Sequence, residues 1–319
     1  MMSRSRFGAA LLAVLGSSFL STSSIAQEKL VFALGQRGNW DTAVTELAQS
    51  SGILKKHGLT AEILWTQGAG ESQQAVLSGS ADIALVGTLG AFSAFAKGAP
   101  VRIIAAQATG AADFWYTRAE SPIKSMKDVA GKTVAYSTNG ASTQIMVLGF
   151  LKQAGVEAKA IATGGPAATL TQVMSGQVDV GWSSPPFGLD QLNAKQVRVV
   201  AYGTDLEAVR GQSIRVLVTT ADKLKARPTV FTRYLAAYRE TLDWMYASDD
   251  ALKVYAEFAG ITASAARQVR DEFFPKSLLQ PEEIKGIDSQ MADALTYKYL
   301  TSTLSVEQIN TLVQIPKAK

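Results

Sequence analysis

A short sequence pattern occurs twice in this chain, with the copies about a hundred residues apart. The first copy runs from Gln74 to Gly87 and the second from Gln172 to Ser184. Each copy has the end of an apolar helix, a Ser-Gly pair, two further residues, an aspartate and a short apolar strand. Duplication of such a unit indicates two similar α/β lobes. The repeat therefore predicts two lobes whose strands end at a shared cleft.

The first 26 residues have the pattern of a secretory signal peptide. Arg4 and Arg6 make a basic start, 7–15 is a short apolar run, and Ser24-Ile25-Ala26 is a small-residue cleavage site. A membrane anchor is the alternative, but the apolar run is far shorter than the roughly 20 residues that cross a bilayer. We expect cleavage after this site and a mature protein in the bacterial periplasm.

Composition excludes several classes of protein. The chain has no cysteine, which excludes disulfides, thiol catalysis, thiolate metal sites and a lipid anchor on cysteine. The net charge is +4, and removing Arg4 and Arg6 leaves 29 basic against 27 acidic residues, or +2. That excess is too small to indicate nucleic-acid or membrane partners. No cofactor and no metal site are predicted.

Short apolar runs alternate with helical patterns through the first two thirds of the chain, which predicts an α/β fold with doubly wound parallel sheets. From residue 223 onward the pattern is helical. The predicted strands lie at 30–34, 61–65, 81–86, 101–105, 114–118, 132–136, 197–201 and 213–219, with one more after Asp179 in the second repeat.

The position of the second repeat predicts how the chain divides into lobes. We expect residues 27–110 and 207–319 to form lobe I, and residues 111–206 to form lobe II. The two crossings are placed near Gly110–Phe114 and near Tyr202–Gln212, because both stretches are loosely patterned and contain glycine, as hinges can.

The chain resembles the substrate-binding proteins of ABC importers, in particular the nitrate/sulfonate/taurine group with its NMT1/THI5-like relatives. The resemblance rests on Gly35–Trp40, on the two Ser-Gly-x-x-Asp repeats, on Ser121–Val134 and on the helix that opens after Tyr136. It implies a type II periplasmic binding protein of two lobes joined by a two-segment hinge. It also implies a monomer that closes on a ligand and delivers it to an ABC permease and ATPase complex.

The resemblance implies a small organic anion as ligand, either a sulfonate or a carboxylate, and aromatic residues near the cleft make an aromatic carboxylate plausible. The group often carries Trp-x-Pro-Tyr after the second aspartate, where this chain has Trp182-Ser-Ser-Pro-Pro-Phe187. Two alternatives stay open. One is a protein that binds or makes the pyrimidine precursor of thiamine, and the other is a chemosensory protein that presents its ligand to a receptor.

Loops that leave strands and enter helices are the expected anion sites, because helix N-termini offer free N–H groups. Ordinary helix capping is the alternative explanation of these residue types. The candidates are Gly87, Thr88, Asn139, Gly140, Ala141, Ser142 and Thr143.

A second set of candidates follows strands with aromatic or hydroxyl side chains, which could stack on a ligand or donate to it. For Trp182 the alternative is a place in the core beneath the strand end. This set is Asn39, Trp40, Phe114, Trp182, Ser183 and Ser184.

Arg215 is the first candidate for pairing with an anion, since it lies between Ile214 and Val216 in an apolar strand. A salt bridge at the surface or between the lobes is the alternative, and Arg37 and Arg118 come next as candidates. Asp82 and Asp179, the repeat aspartates, are interpreted as structural because each precedes its strand.

His57 is the only histidine and is placed at a helix end, so no catalytic triad is predicted.

Overall fold

The computed structural model describes residues 27–317. The predicted signal peptide, residues 1–26, lies outside the described residues. The strands are β1 (Glu28–Gly35), β2 (Leu59–Thr66), β3 (Ile83–Gly87), β4 (Val101–Thr109), β5 (Phe114–Arg118), β6 (Thr133–Tyr136), β7 (Lys159–Ala162), β8 (Gly181–Ser183), β9 (Val197–Tyr202) and β10 (Ser213–Thr220).

The helices connect and cover these strands. They are α1 (Val44–Ser50), α2 (Ile53–Lys56), α3 (Ala69–Leu77), α4 (Thr88–Ala96), α5 (Ser142–Ala154), α6 (Pro166–Met174), α7 (Leu189–Asn193), α8 (Glu207–Arg210), α9 (Ala221–Ala226), α10 (Pro228–Ala247), α11 (Asp249–Ala259), α12 (Ala263–Gln268), α13 (Ile287–Thr296) and α14 (Val306–Leu312). Short 3₁₀ or π turns lie at Met126–Asp128, Gly203–Asp205, Val269–Phe273 and Lys276–Leu278.

The first lobe is built on a five-stranded sheet of order β2-β1-β3-β10-β4. Strand β1 is parallel to β2 and β3, whereas β10 is antiparallel to both of its neighbours. Alternate residues of β1 and β3 pack into different clusters: Phe32 faces α1 and α10, while Ala33 faces α4 and α13. Helices therefore cover both faces of the sheet.

The second lobe repeats this strand order. Strands β8, β5 and β9 form one ladder and β6 and β7 form another. Val180 joins them, because it bonds to the backbone of Thr133 and Ala135 at 3.0 and 2.8 Å. The combined order is β7-β6-β8-β5-β9, in which the antiparallel β5 occupies the place that β10 holds in the first lobe.

All of the predicted strands are present. Only β7 escapes the sequence pattern, because its residues are at most half-buried and so lack a clear apolar run. The chain crosses between the sheets at 110–113 and at 203–212. Leu206, Val209 and Ile214, around the second crossing, pack with the core of the second lobe. None of the described helices has the length and apolarity needed to span a membrane.

Each repeat aspartate ties its strand to a neighbouring strand of the same sheet. The Asp82 carboxylate accepts the Val31 N–H at 2.9 Å, and the Asp179 carboxylate accepts the Thr133 N–H at 2.9 Å. Asp82 also contacts Lys223 at 3.0 Å and Arg227 at 2.6 Å. These contacts fit the structural role expected for both aspartates.

Loss of the Asp82 contacts should destabilise the first lobe. Burial opposes ionisation of Asp82, but the Val31 N–H, Lys223 and Arg227 outweigh it and lower the pKa. Its contribution is therefore present above the ordinary pKa of aspartate and is lost as the pH falls through the lowered value. We expect Asp82→Ala to lower the free energy of unfolding by about 1–3 kcal/mol in urea denaturation at pH 7.

The matched control is Asp222→Ala, since Asp222 is exposed. Equal stability of the two variants at pH 7 would contradict the role given to Asp82.

Candidate functional site

The two lobes meet where their strands end. Loops after β1, β3, β6 and β8 gather at this junction with the crossing between β4 and β5 and with the start of β10. In open α/β sheets this edge is where ligands bind. Register places Arg215 of β10 opposite Gly87, the last residue of β3, so the guanidinium lies at this edge of the sheet.

A buried guanidinium contacts two buried carboxylates at this junction. Arg215 Nη2 lies 2.9 Å from Asp41 Oδ2 and Nη1 lies 3.4 Å from Asp113 Oδ2. The arginine side chain is 6% exposed and both aspartates are 0% exposed. Asp41 belongs to the loop after β1, whereas Asp113 belongs to the crossing. The ion pairs therefore join the first sheet to the segment that leads into the second lobe.

Polar side chains extend this set on both sides. Gln107 of β4 donates from Nε2 to the Asp41 carbonyl at 2.8 Å and to Asp41 Oδ2 at 3.2 Å. The Ser184 hydroxyl, after β8 of the second lobe, lies beside Asp113. Together with Arg215, Asp41 and Asp113 these residues form what we call the junction network.

Several buried polar atoms of this region have no partner. Both contacts of Gln107 Nε2 are to oxygens, so the orientation of its amide is determined and Oε1 points elsewhere. Buried polar atoms without a partner are rare in native proteins, so a group of them indicates a place that a ligand or water can satisfy. They are Asn39 Oδ1, Asp41 Oδ1, Gln107 Oε1, Asp113 Oδ1, Ser184 Oγ and Arg215 Nε.

The junction network holds two carboxylates for one cation. Burial raises the pKa of Asp113, the Arg215 charge opposes that rise, and the Asp41 charge adds to it. Burial disfavours the charged form of Arg215, but the two carboxylates outweigh it and raise its pKa, so the guanidinium keeps its proton. Asp113 therefore takes up a proton more readily than an ordinary aspartate does.

The predicted aromatic contacts lie in the lobe cores. Trp40 is fully buried, packs edge-on against Tyr255 and donates to the Tyr246 hydroxyl at 2.9 Å. Trp182 is fully buried and donates to the Gly164 carbonyl at 3.2 Å. Phe114 is also fully buried, within β5. All three rings therefore belong to the lobe cores, which for Trp182 is the alternative given above.

Most predicted hydroxyl contacts are taken by the backbone or by each other. Thr88 Oγ1 donates to the Ser213 carbonyl, Ser183 Oγ donates to the Phe187 carbonyl, and Thr143 Oγ1 bonds to Ser137. Ser142, in contrast, lines a small enclosed cavity between the lobes with Met146, Gln212 and Gln290, among others. Of the predicted hydroxyls, Ser184 and Ser142 are the ones left facing the junction.

Asn39 is buried at the junction, and its amide nitrogen donates to Gln36 at 3.3 Å. Asn139 is exposed instead, and its side chain accepts from the Tyr136 hydroxyl at 2.7 Å. Arg37 stacks on Phe258 and Arg118 pairs with Glu120 at 3.0 Å.

The lobes touch through backbone at a row of glycines. The loop 137–141, before α5, lies against Gly68, Gly70, Gly87 and Gly90 of the first lobe. A Cβ on Gly87 would be 2.5 Å from the Gly140 carbonyl oxygen, and one on Gly90 would be 2.8 Å from it. Gly70 donates to the Thr138 hydroxyl at 3.0 Å. Ala141, the N-cap residue of α5, is buried in this contact.

Asp41, Gln107 and Asp113 are the site residues that the sequence reasoning missed. Asp113 follows Ala111-Ala112 and precedes Phe114-Trp115, so it is a lone charge in an apolar stretch, the same signal that singled out Arg215.

No group of three His, Cys, Asp or Glu residues within 27–317 could hold a metal ion. His57 contacts Glu240 at 2.9 Å.

The model of the NMT1/THI5-like family matches residues 39–251, a stretch that contains the whole junction network. The chain belongs to the NMT1/THI5-like family. This agrees with the resemblance drawn from Gly35–Trp40, the repeats and Ser121–Val134. Among curated proteins, none matches the sequence.

Solved structures confirm the type II periplasmic binding protein fold. The aliphatic sulphonate binding protein SsuA of Escherichia coli is 19% identical, with a TM-score of 0.69 over 91% of this chain and 93% of that one. The alkanesulfonate-binding SsuA of Xanthomonas axonopodis pv. citri, bound to MOPS, is 17% identical, with a TM-score of 0.74 over 90% and 98%. The desulfurization enzyme DSZB is 16% identical, with a TM-score of 0.61 over 90% and 99%.

Substitutions of different members of the junction network should lower the free energy of unfolding by different amounts. Arg215→Met leaves two buried carboxylates without a cation, so we expect a loss of about 3–5 kcal/mol in the free energy of unfolding. Asp113→Asn keeps one cation and one anion, and should cost less than half as much. Urea denaturation of both variants at pH 7 measures the difference. Equal losses would contradict the charge balance described here.

The glycine row should control how closely the two lobes approach each other. Gly90→Ala places a methyl against the Gly140 carbonyl, yet alanine favours the α4 helix by up to about 1 kcal/mol. We expect unchanged or higher stability in urea together with a larger radius of gyration in small-angle X-ray scattering. Gly211→Ala is the control, since a Cβ there meets nothing within 4 Å. A Gly90→Ala protein as compact as the control would contradict this role.

Proposed function

We propose that this protein is a periplasmic solute-binding protein of an ABC importer. It captures a small organic molecule at the junction of its lobes and delivers it, by hinge closure, to a permease and ATPase complex. The observation that carries the proposal is the junction network, a buried polar set with unpartnered atoms at the ligand-binding edge of both sheets. The SsuA proteins of the same fold, which bind sulfonates by name, support it.

The arrangement couples ligand contact to closure. The network draws Asp41 and Gln107 from the first lobe, Asp113 from a crossing and Ser184 from the second lobe. A ligand that bonds to these groups gains all of its contacts only when the lobes are together. Such a ligand shifts the equilibrium towards the closed form by its difference in affinity for the two forms.

Binding is favoured over catalysis by the state of the reactive groups. Arg215 is held by carboxylates, the Thr143 and Ser183 hydroxyls are bonded to neighbours, and the sequence has no cysteine. DSZB is an enzyme with this fold, so a catalytic relative is the second candidate. A chemosensory protein would use the same capture step and differ only in the partner that receives the closed form.

An organic anion is the ligand that the sequence resemblance implied, and the start of α5 supports it. This helix has no side-chain cap, so its first N–H groups are available to an acceptor.

The proposal is tested with the mature protein, residues 27–319, and a panel of small amines, amides, sulfonates and carboxylates. A true ligand at 100 times its dissociation constant adds about 2.7 kcal/mol to the folded state and should raise the melting temperature. We expect the same compound to lower the radius of gyration, at one protein chain per particle, and to be recovered unchanged by mass spectrometry. Chemical conversion of the compound would favour the enzyme instead.

A further inference from the structure

Charge is out of balance in the junction network. Within the described residues, Asp41 and Asp113 form ion pairs with Arg215 alone, and Arg215 forms none with any other group. With both carboxylates ionised, the three side chains carry a net charge of −1. A buried excess charge is costly, so it requires a compensating positive charge.

Acceptors also outnumber donors among the unpartnered atoms. Asn39, Asp41, Gln107 and Asp113 each have an oxygen without a donor, against two groups that can donate, the Nε–H of Arg215 and the Ser184 hydroxyl. All four of the oxygen-bearing side chains are at least nine-tenths buried. A group that satisfies the four oxygens must bring several N–H donors.

We infer that the ligand of this site is a nitrogen cation, an amidinium, guanidinium or primary ammonium, held by the free oxygens of Asp41 and Asp113 with Gln107 and Asn39 beside them. The inference rests on the proposed function and names its ligand class. A cation with several N–H groups supplies both things that the junction lacks, one positive charge and a set of donors.

The junction network disfavours an anion for the same reasons that it favours a cation. It would have to approach a guanidinium already held by two carboxylates, and it would add a third negative charge to the same buried space. The start of α4 is also occupied in this closed arrangement, because the Gly140 carbonyl oxygen lies against its first turn. The unpartnered carboxylate oxygens would remain without donors.

A proton on Asp113 can supply the missing charge in place of a ligand. Burial raises the pKa of Asp113, and the charged groups that face it are Arg215, which opposes the rise, and Asp41, which adds to it. Binding of a cation favours the ionised carboxylate and so displaces this proton. Affinity for the cation should therefore increase as the pH rises through the raised pKa of Asp113.

The test uses two isosteric series on the full mature protein: acetamidinium, acetamide and acetate, then benzamidinium, benzamide and benzoate. Members of a series share size and shape and differ in charge and donor count. We expect an amidinium to raise the melting temperature, the amide to do so less, and the carboxylate not at all. Calorimetry in two buffers of different ionisation enthalpy should show proton release when the amidinium binds.

Asp113→Asn should weaken amidinium binding about tenfold or more and abolish the proton release. Asp250→Asn is the charge-matched control, because Asp250 lies on the surface at the start of α11, and it should change neither quantity.

Stabilisation by the carboxylates in preference to the amidinium compounds would overturn the inference and leave the proposed function standing. Unchanged amidinium affinity in Asp113→Asn would overturn it as well. If no member of either series stabilises the protein, capture at the junction is contradicted, and the proposed function fails with the inference.

Discussion

The contact of Arg215 with Asp41 and Asp113 determines how the two lobes are joined. All three groups are buried, so each depends on the others to offset the loss of water. The guanidinium comes from the start of β10, one carboxylate from the loop after β1 and the other from the crossing. Any movement of the crossing must therefore preserve this contact or pay for a buried charge without a partner.

The sheets explain why the crossings occupy this position. Each lobe receives one antiparallel strand directly after a crossing, β5 in the second lobe and β10 in the first. Neither sheet is complete until the chain has passed between the lobes, because β5 lies between β8 and β9 and β10 lies between β3 and β4. The hinge is thus held by sheet hydrogen bonds at both of its ends.

Much of the fold was predictable because its signals are local. Apolar runs located most of the strands, and the Ser-Gly-x-x-Asp pattern located Asp82 and Asp179, whose carboxylates bond to neighbouring strands. The site was less predictable, since Trp40 follows its strand as expected whereas Trp182 lies within β8, and both rings turn into the cores. Arg215 and Asp113 pair although they are 102 positions apart in the sequence. No local pattern can contain such a contact.

The row of glycines affects how such a protein can change in evolution. The lobes meet there through main-chain atoms, whose positions do not depend on the side chains of the junction network. In the function proposed here, residues that select the ligand could be replaced while the outline that a membrane partner meets stays the same. Ligand recognition and recognition by the partner would then be separable properties of one chain.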